Sequence, residues 1–191
     1  MEEIILASSS PRRRELMGLL GLPFRVLTAD TPEQTDRTEP GEVVEALASL
    51  KAEAVAARLK SGLVVGSDTI VVCDGEILGK PSGHDEAHEM LGRLQGRAHE
   101  VYTGVCLIRI SDGERRHFHE RTRVCVHAMD EAEIGRYLET GDAYDKAGAY
   151  GIQGPFAAHV DAIEGDYYTV MGLPVAALYR QLKDLGCYGS D

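Results

Sequence analysis

The run Val64-Val65-Gly66-Ser67-Asp68-Thr69-Ile70-Val71-Val72 places one carboxylate inside an otherwise apolar or small stretch. A charge there must be paired, solvated or metal-bound. Held in place, such a carboxylate can ligate a hard cation; the competing reading is an aspartate of a turn or bulge next to Gly66. Thr69 points to the opposite face if the strand is regular. A second stretch with chemical potential is Leu6 to Leu16, LASSSPRRREL. Ser10 suits an N-cap and Pro11 the first helical position, so Arg12, Arg13 and Arg14 fall in the first turn of a helix. Each cation there opposes the helix dipole by roughly 0.3–1 kcal/mol. A bound anion reverses the sign. It would meet free backbone N–H groups, the hydroxyls of Ser8, Ser9 or Ser10, and guanidinium forks matched to phosphate oxygens. Successive helical side chains diverge by about 100°. Arg12 and Arg13 are therefore the expected anion ligands and Arg14 the surface residue. The competing reading is a solvated face on which Glu15 and other acids balance the arginines.

Other groups could complete such a site. Lys80 follows a strand, is fixed by Pro81, and can reach a phosphate as a compact point charge. Glu33 lies in a polar connection rich in Pro, Thr, Asp and Gly, with Asp30 and Asp36 as rivals. A Mg²⁺ ion needs only one or two carboxylates plus substrate phosphates, and Asp68 and Glu33 would suffice. DKAGAYGIQG places Gly148, Gly151 and Gly154 in a short span, where backbone can approach a ligand or simply turn. Gln153 offers a donor and an acceptor to a base edge. His84, His88, His99, His117, His119, His127 and His159 form no recognisable ligand spacing, and none is expected to hold a metal or act in catalysis. Walker A, G-x-G-x-x-G and G-x-S-x-G patterns are all missing.

The elements that must position these residues alternate. MEEIILASS reads as a short buried strand. Val43, Val44, Leu47, Leu50, Ala54, Val55 and Leu59 form a helical stripe, with Pro40-Gly41 at its start and Ser61-Gly62 at its end. Two β-branched runs flank Asp74-Gly75, a hairpin signal, and two more flank Ser111-Asp112-Gly113. HDEAHEMLGRL, DEAEIGRYLETG and LPVAALYRQLKDLG read as helices, the second with Asp130 as N-cap and Gly141 as stop. FAAHVDAIEG reads as a strand. Leu16, Met17, Leu19 and Leu20 supply apolar contacts to the arginine-rich helix. Interleaved helices and strands with two hairpins imply an α/β fold with a mixed sheet and flanking helices, not a pure doubly wound parallel sheet.

Composition narrows the class. The chain has 191 residues, 43% of them hydrophobic, enough for one domain or two small lobes with a shared core. No apolar run approaches the roughly 20 residues of a membrane helix, and the N-terminus does not read as a secretory signal. The net charge of −11 argues against a nucleic-acid binder, as does the lack of aromatic residues among the arginines. Cys73, Cys106, Cys125 and Cys187 are scattered, as expected of reduced thiols in a cytosolic protein.

Taken in order and spacing, LASSSPRRREL, VVGSDTIVV with GEILGKP, DKAGAYGIQG and IEGDYYTVMGLP resemble the Maf family of nucleotide pyrophosphatases across the whole chain. The resemblance implies a single domain over residues 1–191 with two lobes, no separate linker and a central cleft, similar to the inosine triphosphate pyrophosphatases. It implies hydrolysis of a nucleoside triphosphate to the monophosphate and pyrophosphate, with a divalent cation: Mg²⁺, or Mn²⁺ or Co²⁺ in its place. Asp68 would be the proton acceptor. Arg12, Thr69 and Gln153 match positions tied to substrate choice, and Arg13, Glu33, Lys51 and Lys80 match polar positions lining the cleft. The intact AGAYGIQG resembles the branch acting on dTTP and UTP, with a house-cleaning role in a cytoplasmic setting. Ser67 stands where many members carry alanine. A non-enzymatic regulator of septum formation is the rival expectation. Oligomeric state stays open, a homodimer being one candidate.

Overall fold

The computed structural model describes residues 2–32 and 34–188. The apolar opening run forms β1 (Ile4–Leu6), buried throughout. It leads into α1 (Pro11–Gly18), β2 (Phe24–Val26), α2 (Pro40–Ala56) and β3 (Leu63–Cys73). The Asp74-Gly75 turn then returns the chain as β4 (Glu76–Leu78), followed by α3 (His84–Leu94) and the long pair β5 (Ala98–Arg109) and β6 (Arg115–Val126). The chain ends with α4 (Glu131–Glu139), β7 (Val160–Glu164), α5 (Tyr167–Met171) and α6 (Val175–Asp184). Among the described residues seven strands make one mixed sheet, ordered β2-β1-β3-β5-β6-β7, with β4 pairing β3. β1 pairs parallel with β2 and β3, as helical crossovers require, whereas β3–β4 and β6–β7 are antiparallel. The expected mixed α/β fold is the one observed.

Local signals explain several boundaries. Asp74 and Gly75 both adopt positive φ, 52° and 79°, the requirement of the tight turn that matches strand twist. Asp130 and Glu133 form a reciprocal capping box at the start of α4, and Gly141 turns left-handed (φ 76°) past its end. Three expectations need correction. α2 stops at Ala56, because Arg58 and Leu59 tighten the last turn by bonding three residues back, to Val55 and Ala56. The first half of FAAHVDAIEG is a 3-10 turn, Pro155–His159, in which Phe156 is driven into the core. Leu19 is 58% exposed, since α1 buries only Leu16 and Met17.

The chain divides into two compact units. The first takes Met1–Asp68, Thr103–Glu120 and Gly172–Asp191. Its core joins Ile5, Ala7 and Val64 of the sheet side to Ala48, Ala52 and Val55 of α2, with Cys106 and Ile108 of β5. The helix lies close enough to touch strand backbone. A Cβ at Gly66 would collide with the Ala48 carbonyl oxygen and stand 2.9 Å from the Ala52 nitrogen, and one at Gly104 would stand 2.7 Å from the Glu45 nitrogen. Gly66 is therefore a site of close backbone approach within a regular strand.

The second unit takes Thr69–Tyr102 and Arg121–Met171. Fully buried Phe156 packs between the Tyr137 and Tyr150 rings, at centroid distances of 5.0 and 4.6 Å. The Tyr150 hydroxyl meets His99 Nε2 at 2.7 Å, while His99 Nδ1 has no partner among the described residues. Burial holds the His99 imidazole neutral, pushing its pKa down to about 4.

Two outcomes follow from these cores. Gly66→Ala is expected to lower unfolding stability by about 1–3 kcal/mol through overpacking, whereas Gly92→Ala, where nothing lies within 4 Å, should cost nothing. Equal midpoints in denaturant would contradict the close approach. The unfolded chain takes up the His99 proton below its ordinary pKa of 6.5, but the folded chain only near 4. Stability is thus fully present above 6.5 and falls between those values, by roughly 3 kcal/mol in total. In His99→Gln that part of the acid dependence should vanish. Parallel pH profiles for variant and parent would refute a neutral buried imidazole.

Candidate active site

β3 is buried almost throughout, and Asp68 within it is only 8% exposed. Its counter-charge comes from α2. Lys51 Nζ donates to Asp68 Oδ1 in a short contact, and the two side chains are 17% and 11% exposed. Ala48 and Ala52 bring α2 down onto the strand at Gly66, and Lys51, three residues after Ala48, lies on the same helix face. Periodicity alone could have found this. A lysine near the apolar stripe of a helix that precedes a strand with a buried aspartate is the expected partner, yet Lys51 entered the sequence reading only through the family resemblance.

α1 begins as expected. Ser10 is the N-cap and its hydroxyl accepts the Arg13 backbone N–H at 3.4 Å. Ser8 is buried, and its hydroxyl oxygen accepts the Ser10 N–H at 3.3 Å and Arg13 Nη1 at 3.4 Å. Two of the three serines thus hold the helix start and the arginine, while Ser9 is exposed. Arg13 is anchored a second time, because its Nε donates to the Gly172 carbonyl at 2.8 Å. The same oxygen accepts the Ser67 hydroxyl at 3.0 Å. Arg12 is half-buried and Arg14 exposed, as the helix geometry anticipated. Ser8, Arg13, Gly172 and Ser67 therefore form one bonded path in the first unit that ends beside Asp68 and its partner Lys51. Ser67 is a fully buried hydroxyl with a defined acceptor.

The remaining expected residues belong to the second unit. Thr69 follows Asp68 on β3 and is half-buried. Lys80 is exposed just beyond β4, in a segment tied to the glycine-rich stretch by the Gly148 N–H, which donates to the Gly79 carbonyl at 3.0 Å. Gln153 is exposed. Glu33, the second expected metal ligand, lies outside the described residues.

The glycines of DKAGAYGIQG have an architectural explanation. Lys146 Nζ donates to the Asp142 carbonyl at 2.6 Å, to Asp142 Oδ1 at 2.9 Å and to Asp145 Oδ1 at 2.6 Å. Asp142 Oδ2 also accepts the Tyr137 hydroxyl at 2.9 Å. Burial and the neighbouring Asp142 push the Tyr137 pKa upward, so that it stays a donor. The loop folds directly over this cluster. A Cβ at Gly151 would lie 2.7 Å from Lys146 Cε, and one at Gly154 would lie 2.6 Å from Asp142 Oδ2. Sequence reasoning missed Asp142 and Tyr137, although the Asp142–Lys146 spacing of four was visible.

A divalent hard cation fits this donor set in one way. Lys51 engages Oδ1 of Asp68, and a carboxylate has further acceptor capacity. Among the described residues Asp68 belongs to no group of three metal-ligating side chains. An ion there would need oxygens from a substrate, the mode usual for Mg²⁺.

Known proteins share this chain over almost its full length. A protein of Pelotomaculum thermopropionicum named dTTP/UTP pyrophosphatase is 49% identical, over 97% of this chain and 98% of that protein. Proteins of the same name from Symbiobacterium thermophilum and Bacillus cereus are 49% and 47% identical, over 97% and 96% of this chain and 95% of each relative. The Ham1 protein of Staphylococcus aureus has a similar fold, with a TM-score of 0.55 at 15% identity, over 96% of this chain and 100% of that one. Residues 3–185 match the profile described as Maf-like protein, and the chain belongs to the Maf family.

Proposed function

We propose that this protein hydrolyses nucleoside triphosphates, dTTP and UTP foremost, to the monophosphate and pyrophosphate. The observation that carries the reading is the pair of buried Asp68 and half-buried Lys51, joined through Ser67 and Gly172 to an arginine at a helix N-terminus. In this reading Asp68 serves as the acid–base group and the anchored Arg13 as a phosphate ligand. The full-length relatives named for this activity support the substrate class.

In this mechanism water attacks the α-phosphorus. A bond forms from the water oxygen to that phosphorus, the bond to the bridging oxygen breaks, and pyrophosphate leaves. Asp68 takes the proton of the attacking water. Lys51 fixes the orientation of the carboxylate. Once Asp68 is protonated, the ammonium has lost its counter-charge and can attract the departing phosphate oxygens. Arg12, Arg13 and the start of α1 hold the β- and γ-phosphates, with Ser8 positioning Arg13 and Lys80 adding charge. A divalent cation, Mg²⁺ with Mn²⁺ or Co²⁺ as alternatives, would be held by Asp68 and Glu33 together with the phosphates. It would supply charge neutralisation and a more acidic water. Thr69 and Gln153 hydrogen-bond the pyrimidine. The cytoplasm is the proposed compartment. The four cysteines are all free thiols, and among the described residues no helix is long and apolar enough to cross a membrane.

The direct test is a nucleotide panel with Mg²⁺ or Mn²⁺, scored for monophosphate and pyrophosphate. Nucleotide binding without turnover would point to a sensor and overturn the enzyme. Asp68→Asn is expected to lower kcat by roughly 10²–10⁴-fold, the usual worth of a general base. KM for dTTP should change little, and the far-ultraviolet spectrum should stay native. Turnover at the parental rate removes Asp68 from the chemistry. For Gln153→Ala the preference for dTTP over dATP, as a ratio of kcat/KM, should narrow by about tenfold. An unaltered ratio assigns base choice elsewhere.

A further inference from the structure

We propose that the chain carries a second cation site, for a borderline transition metal such as Zn²⁺ or Ni²⁺, built from His127, His159 and Glu133. One ligand atom from each lies within 4.8 Å of the others. All three residues belong to the second unit, and the hydrolysis described above uses none of them.

The two histidines are placed by paired backbone. His127 follows the last residue of β6 and His159 precedes the first of β7. The strands pair antiparallel, and the His127 N–H donates to the His159 carbonyl at 3.1 Å. This pairing brings His127 Nε2 to 3.1 Å from His159 Nδ1, with the rings edge to face at 5.2 Å. Two imidazole nitrogens on one tetrahedral ion, with bonds of about 2.0–2.1 Å, stand roughly 3.4 Å apart. The observed separation needs almost no change.

The tautomer of His127 is also prepared. His127 Nδ1 lies 3.3 Å from Asp161 Oδ1. A carboxylate there favours the proton on Nδ1 of His127 and leaves its Nε2 lone pair facing His159, the carboxylate–histidine arrangement found behind metal ligands. His159 Nδ1 then donates to that lone pair, and an ion would take the place of this proton as His159 carries its own on Nε2. Glu133 is oriented by its capping box, in which Oε2 accepts the Asp130 N–H at 2.8 Å, and its carboxylate retains acceptor capacity. Two nitrogens and one carboxylate favour Zn²⁺, Ni²⁺ or Cu²⁺ over Mg²⁺. Three protein ligands leave a fourth position for water. The His127 side chain is 36% exposed, so an ion has access. The thirty-two positions separating the two histidines hide this pair from any search for close ligand spacing.

The test is calorimetric titration of the full chain with Zn²⁺ in excess Mg²⁺. One tight site per chain is expected. His127→Gln, His159→Gln and Glu133→Gln should each weaken it about tenfold or more. Gln at 133 retains the cap, so loss there is not loss of the helix start. His88→Gln and His119→Gln should leave it unchanged. Zn²⁺ should raise the thermal midpoint of the parent but not of His159→Gln. The Mg²⁺-dependent rate of His159→Gln should equal the parent's. Absence of saturable Zn²⁺ binding, or binding indifferent to the three cluster variants, would overturn the site. A lost Mg²⁺-dependent rate in a folded His159→Gln would overturn its separateness.

Discussion

The Lys51–Asp68 contact is the constraint around which the first unit is organised. A carboxylate cannot sit in a buried strand without compensation, and removing one partner of a buried pair generally costs about 3–5 kcal/mol. The compensation comes from a helix, so the helix must lie low on the sheet. Gly66 and Gly104 have no side chains at the two points where α2 passes, and Ala48 and Ala52 keep the helix face small. A single charge in β3 thus accounts for the glycines beneath α2, for the alanines on it, and for its lysine.

The same strand reaches the arginine through one carbonyl. Gly172 accepts both Ser67 and Arg13. Ser8 accepts the other end of the guanidinium. A side chain held at two points has already given up rotamer freedom before any anion arrives, and a ligand that meets it does not bear that entropy. The three consecutive arginines are consequently unequal. Arg13 is fixed by the fold, Arg12 is half-buried beside it, and Arg14 is left to solvent.

Features set by neighbours in sequence were legible. The Asp74-Gly75 turn, the Ser10 cap with Pro11, and the Asp130 cap of α4 depend on residues at most three apart, and all three formed as expected. The need for a partner at Asp68 was legible too, from one charge in an apolar run. The partner's place was not, because it is set by how α2 packs, as the bond from Arg13 to Gly172 across 159 positions is set by tertiary structure. Strand propensity in FAAHVDAIEG lost to the burial of Phe156. The histidine spacing that gave no signal concealed a pair brought together by β6 and β7.

The cluster beneath the glycine-rich loop has an evolutionary corollary. Asp142, Lys146, Gly151 and Gly154 are mutually dependent: loss of the Asp142 carboxylate takes a partner from both Lys146 and Tyr137, and any side chain at either glycine strikes one of the two charged groups. Single steps away from this arrangement are each penalised, so drift can proceed only by concerted replacement. A stretch under that restriction stays recognisable across great divergence even where its members serve architecture, and fidelity of spelling there is no proof of contact with substrate.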